Sequence, residues 1–404
     1  MNLELNKINN GRRDKTLRFF HPHLDTVKIG GIIIFTMSRL EIIMKKAIIR
    51  MVMVFGFILA LLLILFLIWV IMSPGKIREY EGEKSLSEKF VMDINGAPNG
   101  FFINSKDLDN PVLLFVSSGP GTDDYVFTDK YKDMHLEDEF TVVYWDYRYM
   151  GIAYNSKIDV DSVNIDNLLD DTYAVTEYLK ERFNKDKIYI MGFSGGTHVA
   201  LREAARHPEN YYAYIGMAQC VTDSEENDTL MYNFMKGVFE KNGDKTNLNK
   251  LEDSVTHLDS GNIKCKDWYS YVNLLHDAGG GTILNKSEFE GIVMPIITCR
   301  CYTVPEKFKY ITGMKKYRTT PLYEELNDFD YRNSMNIFEL PVFFISGECD
   351  YNCPWELVED YCDSIDAPVK AFYKIPGAAH SPLWENTDAA HEAMLQIKEM
   401  TYNG

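Results

Sequence analysis

From Met51 to Met72 the chain runs 22 residues without a charged side chain. No other feature limits its possible folds so sharply. At about 1.5 Å per residue a helix of that length spans roughly 33 Å, enough to cross a hydrocarbon layer of about 30 Å. A buried core helix would carry a polar face, and this run has none. Trp69 suits the interface at its far end. Lys45, Lys46 and Arg50 precede the run, whereas only Lys76 and Arg78 follow closely. By the positive-inside rule the expected order is a cytoplasmic tail at 1–44, an anchor at 45–73 with residues 51–72 in the bilayer, and an extracytoplasmic domain at 74–404. A cleaved signal peptide would have a shorter apolar run followed by small residues around a cleavage site. Here the run ends in Ser73-Pro74-Gly75-Lys76, so an uncleaved single-pass anchor is expected.

Charge divides the chain in the same place. Residues 1–50 hold ten Lys/Arg and four Asp/Glu, within a whole-chain net charge of −17. The remaining 354 residues are therefore strongly acidic, with 55 Asp/Glu against 32 Lys/Arg. That surface argues against nucleic acid as a partner. Seven cysteines in 404 residues are too few for a disulfide scaffold, and none sits at zinc-binding CxxC spacing. Cys349 and Cys353 flank Asp350 and could be bridged in an oxidising compartment, although free cysteine commonly packs as a small apolar residue. His21 and His23 carry no assigned chemistry, and no metal or other cofactor is expected. The sequence says nothing of oligomeric state.

Beyond the anchor, short apolar runs alternate with helical periodicity. Phe90–Met92 and Gly100–Ile103 read as antiparallel strands joined at Asn95-Gly96. Pro111–Val116, Phe140–Trp145, Lys187–Gly192 and Tyr212–Met217 are continuous apolar runs, typical of strands buried on both faces. Helices are expected over Asp166–Phe183 and Gly196–Arg206. After Pro341–Ile345 come a helix from Trp355, a strand at Val369–Tyr373 and a helix from about Thr387. This alternation predicts a mostly parallel sheet covered on both faces. Residues 222–335 interrupt it and read as an inserted, mostly helical cap.

Gly192-Phe193-Ser194-Gly195-Gly196 falls between a strand and a helix. A tight turn there lifts the serine hydroxyl above the sheet, and flanking glycines avoid collision with neighbouring elements. A serine nucleophile needs a base, and the base needs an orienting acid. Among nine histidines only His380 follows a late strand at its C-terminal end. After the strand at Val342–Ile345, Glu348 and Asp350 are the candidate acids, and Asp350 is preferred. His198 and His207 ride the helix after Ser194 and are read as structural. Ser117-Ser118-Gly119-Pro120-Gly121 follows the first buried strand. The backbone N–H groups of Ser118, Gly119 and Gly195 are the expected oxyanion donors.

Taken together, these motifs resemble the proline iminopeptidase-like branch of the α/β-hydrolases over roughly residues 85–400. In that branch a His-Gly-Gly-Pro-Gly loop and an Asp-Gln-Arg-Gly segment correspond to Ser117–Gly121 and to Asp146-Tyr147-Arg148-Tyr149. The resemblance implies hydrolysis of a small ester or peptide through an acyl-enzyme on Ser194. It also marks departures. Gly195 stands where iminopeptidases usually have Trp, and the nearest match to their Trp-x-x-Trp-Glu segment is Trp268 to Val272, with Val272 in place of the amine-holding Glu. Glu225 and Glu226 could substitute in substrate binding, beside Trp268. The expectation is a serine hydrolase with little preference for a free N-terminal amine. The alternatives are a prolyl or amino-terminal exopeptidase and a non-catalytic, membrane-tethered binding protein on the same fold.

Overall fold

The computed structural model describes residues 37–119, 124–131, 133–327 and 329–402. Most of the tail at 1–44, with His21 and His23, lies outside them, as do Pro120 and Gly121. The chain forms two units, divided between Ile68 and Trp69. In the first, helix α1 (Met37–Met72) begins, and its side chains from Ile42 to Ile68 are all exposed. The stretch Ile42–Met72 is long and apolar enough to cross a membrane.

The second unit is built on an eight-stranded sheet. Its strands are β1 (Leu86–Ile94), β2 (Ala97–Ser105), β3 (Val112–Val116), β4 (Thr141–Asp146), β5 (Ile188–Phe193), β6 (Tyr211–Met217), β9 (Val342–Gly347) and β10 (Lys370–Ile375). They lie in the order β1-β2-β4-β3-β5-β6-β9-β10. The β1–β2 and β2–β4 pairs are antiparallel, and every pair from β4 to β10 is parallel. The expected sheet is therefore present. Its apolar runs are continuous because β3, β4, β5 and β9 are buried along their whole length. Alternate residues feed two cores: Val112, Leu114 and Val116 face one side of the sheet, while Leu113 and Phe115 face the other.

Helices cover both faces. Helix α3 (Ile165–Phe183) is capped by Asn164, whose side chain accepts from Asn167 N–H at 2.9 Å. Helix α4 (Thr197–Arg206) follows β5 directly, and α12 (Trp355–Ser364) follows β9. Short α13 (Pro382–Glu385) and long α14 (Thr387–Thr401) close the chain.

Between β6 and β9 runs the inserted segment. Its main helices are α5 (Glu225–Asn242), α6 (Lys245–Asp253), α7 (Trp268–Asp277) and α9 (Val304–Tyr317). A two-stranded hairpin, β7 (Val255–His257) with β8 (Ile263–Cys265), adds strand to a region read as mostly helical. The segment has a small core of its own around Met231, Met235, Phe239, Leu251, Tyr271 and Leu275. Trp69, expected as an interfacial anchor, donates its indole N–H to the Ile297 carbonyl at 2.9 Å. Lys307 reaches Ser73 Oγ at 2.8 Å, so the start of the second unit is tied to the inserted segment.

Candidate active site

Ser194 sits at the turn from β5 into α4 with φ 51°, a left-handed conformation unusual for a residue with a side chain. The turn is held open by missing side chains. A Cβ on Gly192 would lie 2.7 Å from Thr197 Cα, and one on Gly195 would lie 2.8 Å from both Cα and N of Gly119. That second contact explains the glycine after the serine: any larger residue would push the Gly119 backbone away.

His380 follows β10 and lies buried against the Phe193 ring, 5.2 Å between centroids. Its Nε2 is 2.9 Å from Ser194 Oγ. On its other side, Nδ1 is 3.0 and 3.1 Å from the two carboxylate oxygens of Asp350. Asp350 is fully buried after β9, where Oδ1 also accepts from the N–H groups of Asn352 (3.0 Å) and Cys353 (2.9 Å). The rival acid, Glu348, accepts from Gly377 N–H at 3.2 Å instead. Burial drives His380 toward its neutral form, but the charge and hydrogen bonding of Asp350 outweigh it, so its pKa is raised overall. The three residues thus form one hydrogen-bonded line from carboxylate to hydroxyl.

The oxyanion expectation needs one correction. Ser118 donates its backbone N–H and its hydroxyl to the two oxygens of buried Asp124, each at 2.8 Å. The Ser118 amide is thereby engaged, while Gly119 and Gly195 pack backbone to backbone beside Ser194. Asp124 escaped the sequence reading because nothing local distinguishes it from Asp123; only the folded loop brings it under Ser118. Glu385 escaped for the same reason. Its carboxylate accepts from Ala379 N–H (3.0 Å), Ser381 N–H (2.9 Å) and Leu284 N–H (2.6 Å), clamping the His380 loop to the inserted segment. Arg148, in the segment matched to Asp-Gln-Arg-Gly, is spent on a buried ion pair with Asp171 at 2.6 Å.

A cavity of about 580 Å³ opens over Ser194 and His380. Its wall includes Gly119, Gly195, His198, Trp268 and Val272. His198 Nδ1 is 2.6 Å from the hydroxyl of Tyr331. Of the two glutamates considered for substrate binding, Glu225 lines the cavity. Glu226 instead pairs with Arg332 at 2.7 Å, a correction to its expected role. Asp223, Asp228 and Glu288 add further carboxylates to the wall, partly offset by the cations Lys264 and Arg318. Burial raises the Asp228 pKa, although Cys265 N–H donates to it at 2.9 Å. Sequence spacing could not single these carboxylates out in so acidic a stretch. Among the described residues no group of His, Cys, Asp and Glu is arranged to hold a metal ion.

No protein-family model matches the chain. Over 321 residues it is 27% identical to the probable aminopeptidase YbaC of Bacillus subtilis, covering 76% of this chain and 97% of that protein. Among solved structures it is similar to the proline iminopeptidase of Mycobacterium smegmatis, with TM-score 0.53 and 13% identity over 78% of this chain and 98% of that one. It is similar also to a proline iminopeptidase-related protein of Thermus thermophilus, with TM-score 0.52 and 16% identity over 78% and 98% of the two chains. A bacterial membrane phospholipase A aligns over 92% of this chain and all of its own, with TM-score 0.51 and 14% identity. What these structures share with the chain is the α/β-hydrolase fold.

Proposed function

We propose that this α/β-hydrolase is a membrane-anchored serine hydrolase that cleaves a small ester or peptide bond through an acyl-enzyme on Ser194. The observation that carries the reading is the hydrogen-bonded line Asp350–His380–Ser194, ending at a strained serine that faces a cavity. In the proposed cycle Ser194 Oγ attacks the substrate carbonyl while His380 Nε2 takes its proton. Asp350 holds Nδ1–H and stabilises the imidazolium. The N–H groups of Gly119 and Gly195 receive the developing oxyanion. His380 then protonates the leaving group, and water repeats the sequence in reverse roles to release the acid.

The inserted segment acts in this reading as the cap that sets the substrate. Its aromatic side chains favour a small apolar acyl group, and Val272 offers no charge to an amine. A second reading, an amino-terminal exopeptidase, is favoured by the carboxylates Asp223, Glu225, Asp228 and Glu288 on the cavity wall. The likeness to a probable aminopeptidase points the same way. A third reading, a tethered binding protein, requires a site that does not react.

The test uses the full-length chain in detergent. A fluorophosphonate should label the wild type and leave Ser194→Ala unlabelled; equal labelling of both removes Ser194 as nucleophile. kcat/KM for Pro-arylamide against its N-acetylated counterpart then separates the first two readings. A preference of about 10³-fold for the free amine, roughly 4 kcal/mol, establishes the exopeptidase. For the anchor, protease added to spheroplasts should digest residues 74–404, and a protected domain places it on the inner face.

A further inference from the structure

The cavity wall beside Asp350 carries two thiols. Cys220 follows β6, and Cys353 lies in the loop between β9 and α12. Their Sγ atoms stand 3.7 Å apart, although 133 positions separate them in the chain. Both line the cavity; Cys353 is buried and Cys220 half-buried. Sequence spacing alone points to Cys349 as the partner of Cys353. Folding instead faces Cys353 toward Cys220.

Each thiol is connected to a different member of the catalytic line. Cys353 N–H donates to Asp350 Oδ1 at 2.9 Å. Cys220 N–H donates to Thr197 Oγ1 at 3.2 Å, and that hydroxyl donates to the Ser194 carbonyl at 2.5 Å. The two sulfurs also differ chemically. The Cys353 S–H group, and after it the nearby His198, hold the Cys220 thiol well below its usual range against the opposing effect of burial. The hydrogen bond to Cys220, and after it burial, push the Cys353 thiol up. Two thiols in contact, one of them held below its usual range, are the arrangement that attacks and then resolves a disulfide.

We propose that Cys220 and Cys353 are a modification site: a dithiol that exchanges with small disulfides, such as oxidised glutathione or cystine, and closes into a bridge across the cavity wall. The Cys220 thiolate attacks one sulfur of the small disulfide, forming a mixed disulfide and expelling one small thiolate. Cys353 then attacks the Cys220 sulfur and expels the second. Its proton and one from solvent end on the two small thiols, so one disulfide is reduced as the protein dithiol is oxidised. A disulfide bond is about 2.05 Å long. The sulfurs therefore approach by roughly 1.7 Å, and the movement of Cys353 withdraws its N–H from Asp350.

Bridge formation is independent of the hydrolase reading, while its effect on turnover rests on it. The pre-reduced full-length chain in detergent is treated with oxidised glutathione and analysed by peptide mass and by aryl-ester hydrolysis. The expected result is a linked Cys220–Cys353 peptide pair, reversed by dithiothreitol, with kcat/KM at least tenfold lower in the oxidised form. Cys220→Ser and Cys353→Ser should lack the bridge and be insensitive to oxidant relative to their own untreated samples, and Cys349→Ser should keep it. Both cysteines remaining open to alkylation, or a Cys349–Cys353 link, overturns the site. A bridge that leaves turnover unchanged overturns the connection through Asp350. A chain already inactive before oxidation counts against the hydrolase reading alone, and the mass measurement still decides the dithiol.

Discussion

The sheet end that carries Ser194 and the inserted segment that roofs it are built on opposite terms. At the sheet end, β3, β5 and β9 are buried along their whole length, and Asp350 is sealed among backbone donors. The inserted segment has only a small core and gives the cavity a mixture of carboxylates, cations and aromatic side chains. Close packing fixes the positions of the residues around Ser194, whereas a polar wall of separate side chains can change residue by residue without disturbing them. On the proposed reading, chemistry belongs to the first region and selectivity to the second. Fixed reacting atoms and a variable roof are what one fold needs to serve many substrates.

If that division is correct, the largest effects come from the sheet end. Ser194→Ala and His380→Ala should each lower kcat/KM by about 10⁴ or more, because triad members act as a unit. A loss under tenfold for either would break the comparison at its centre. Next comes the oxyanion pocket. Gly195→Ala places a Cβ 2.8 Å from the Gly119 backbone. It should cost about 10²–10³ in kcat with KM little changed, the size of one lost oxyanion donor. A change confined to KM would move the position into substrate binding.

Substitutions in the inserted segment should read differently. Asp228→Asn and Glu225→Gln should leave ester turnover within about twofold. If the exopeptidase reading holds, each should raise KM for free-amine substrates by about tenfold, some 1.4 kcal/mol. Loss of ester kcat in either variant would show that the roof takes part in chemistry.

The smallest effects concern protons. His380 must be neutral to act as base, and its pKa is raised overall, so kcat/KM should fall on the acid side at a pH above the ordinary value of about 6.5. An acid limb below that value would mean that Asp350 does not hold the imidazolium. In the scaffold, burial lifts Glu203 to about 8 and Glu137 to about 7. The unfolded chain releases these protons near 4.5, while the folded chain keeps them. Their contribution to stability is complete below that pH and is lost as pH rises through about 7 to 8. Thermal scans from pH 5 to 9 should therefore show a falling Tm, with a shallower slope in Glu203→Gln. Glu137, His380, Asp171, Asp228 and Glu385, all with raised pKa values, act in the same direction and keep part of the slope.

The strands, the elbow at Ser194 and the apolar stretch were legible because each is written in a local pattern. A buried parallel strand is an unbroken apolar run, a strained serine needs glycines beside it, and a membrane helix needs length without charge. His380 and Asp350 could be picked out because strand ends converge on one edge of such a sheet. Glu226 shows where that reasoning fails. Beside Glu225 in sequence, it points along a different direction of helix α5 and is taken by Arg332. Adjacent helix positions lie about 100° apart around the axis, so neighbours in an acidic run do not share a fate.

Sequence by itself therefore determined the class of sheet, the strand-to-helix turn that carries Ser194 and the presence of a helix long enough for a bilayer, since a few neighbouring residues carry each signal. Only the tertiary structure decided which groups serve them. It set Asp124 under Ser118, Glu385 around the His380 loop, Cys353 against Cys220 and four carboxylates on the cavity wall. These last associations join separate elements of the chain or depend on which way a helix turns its side chains. Such geometry exists only once the sheet and the inserted segment have closed on each other.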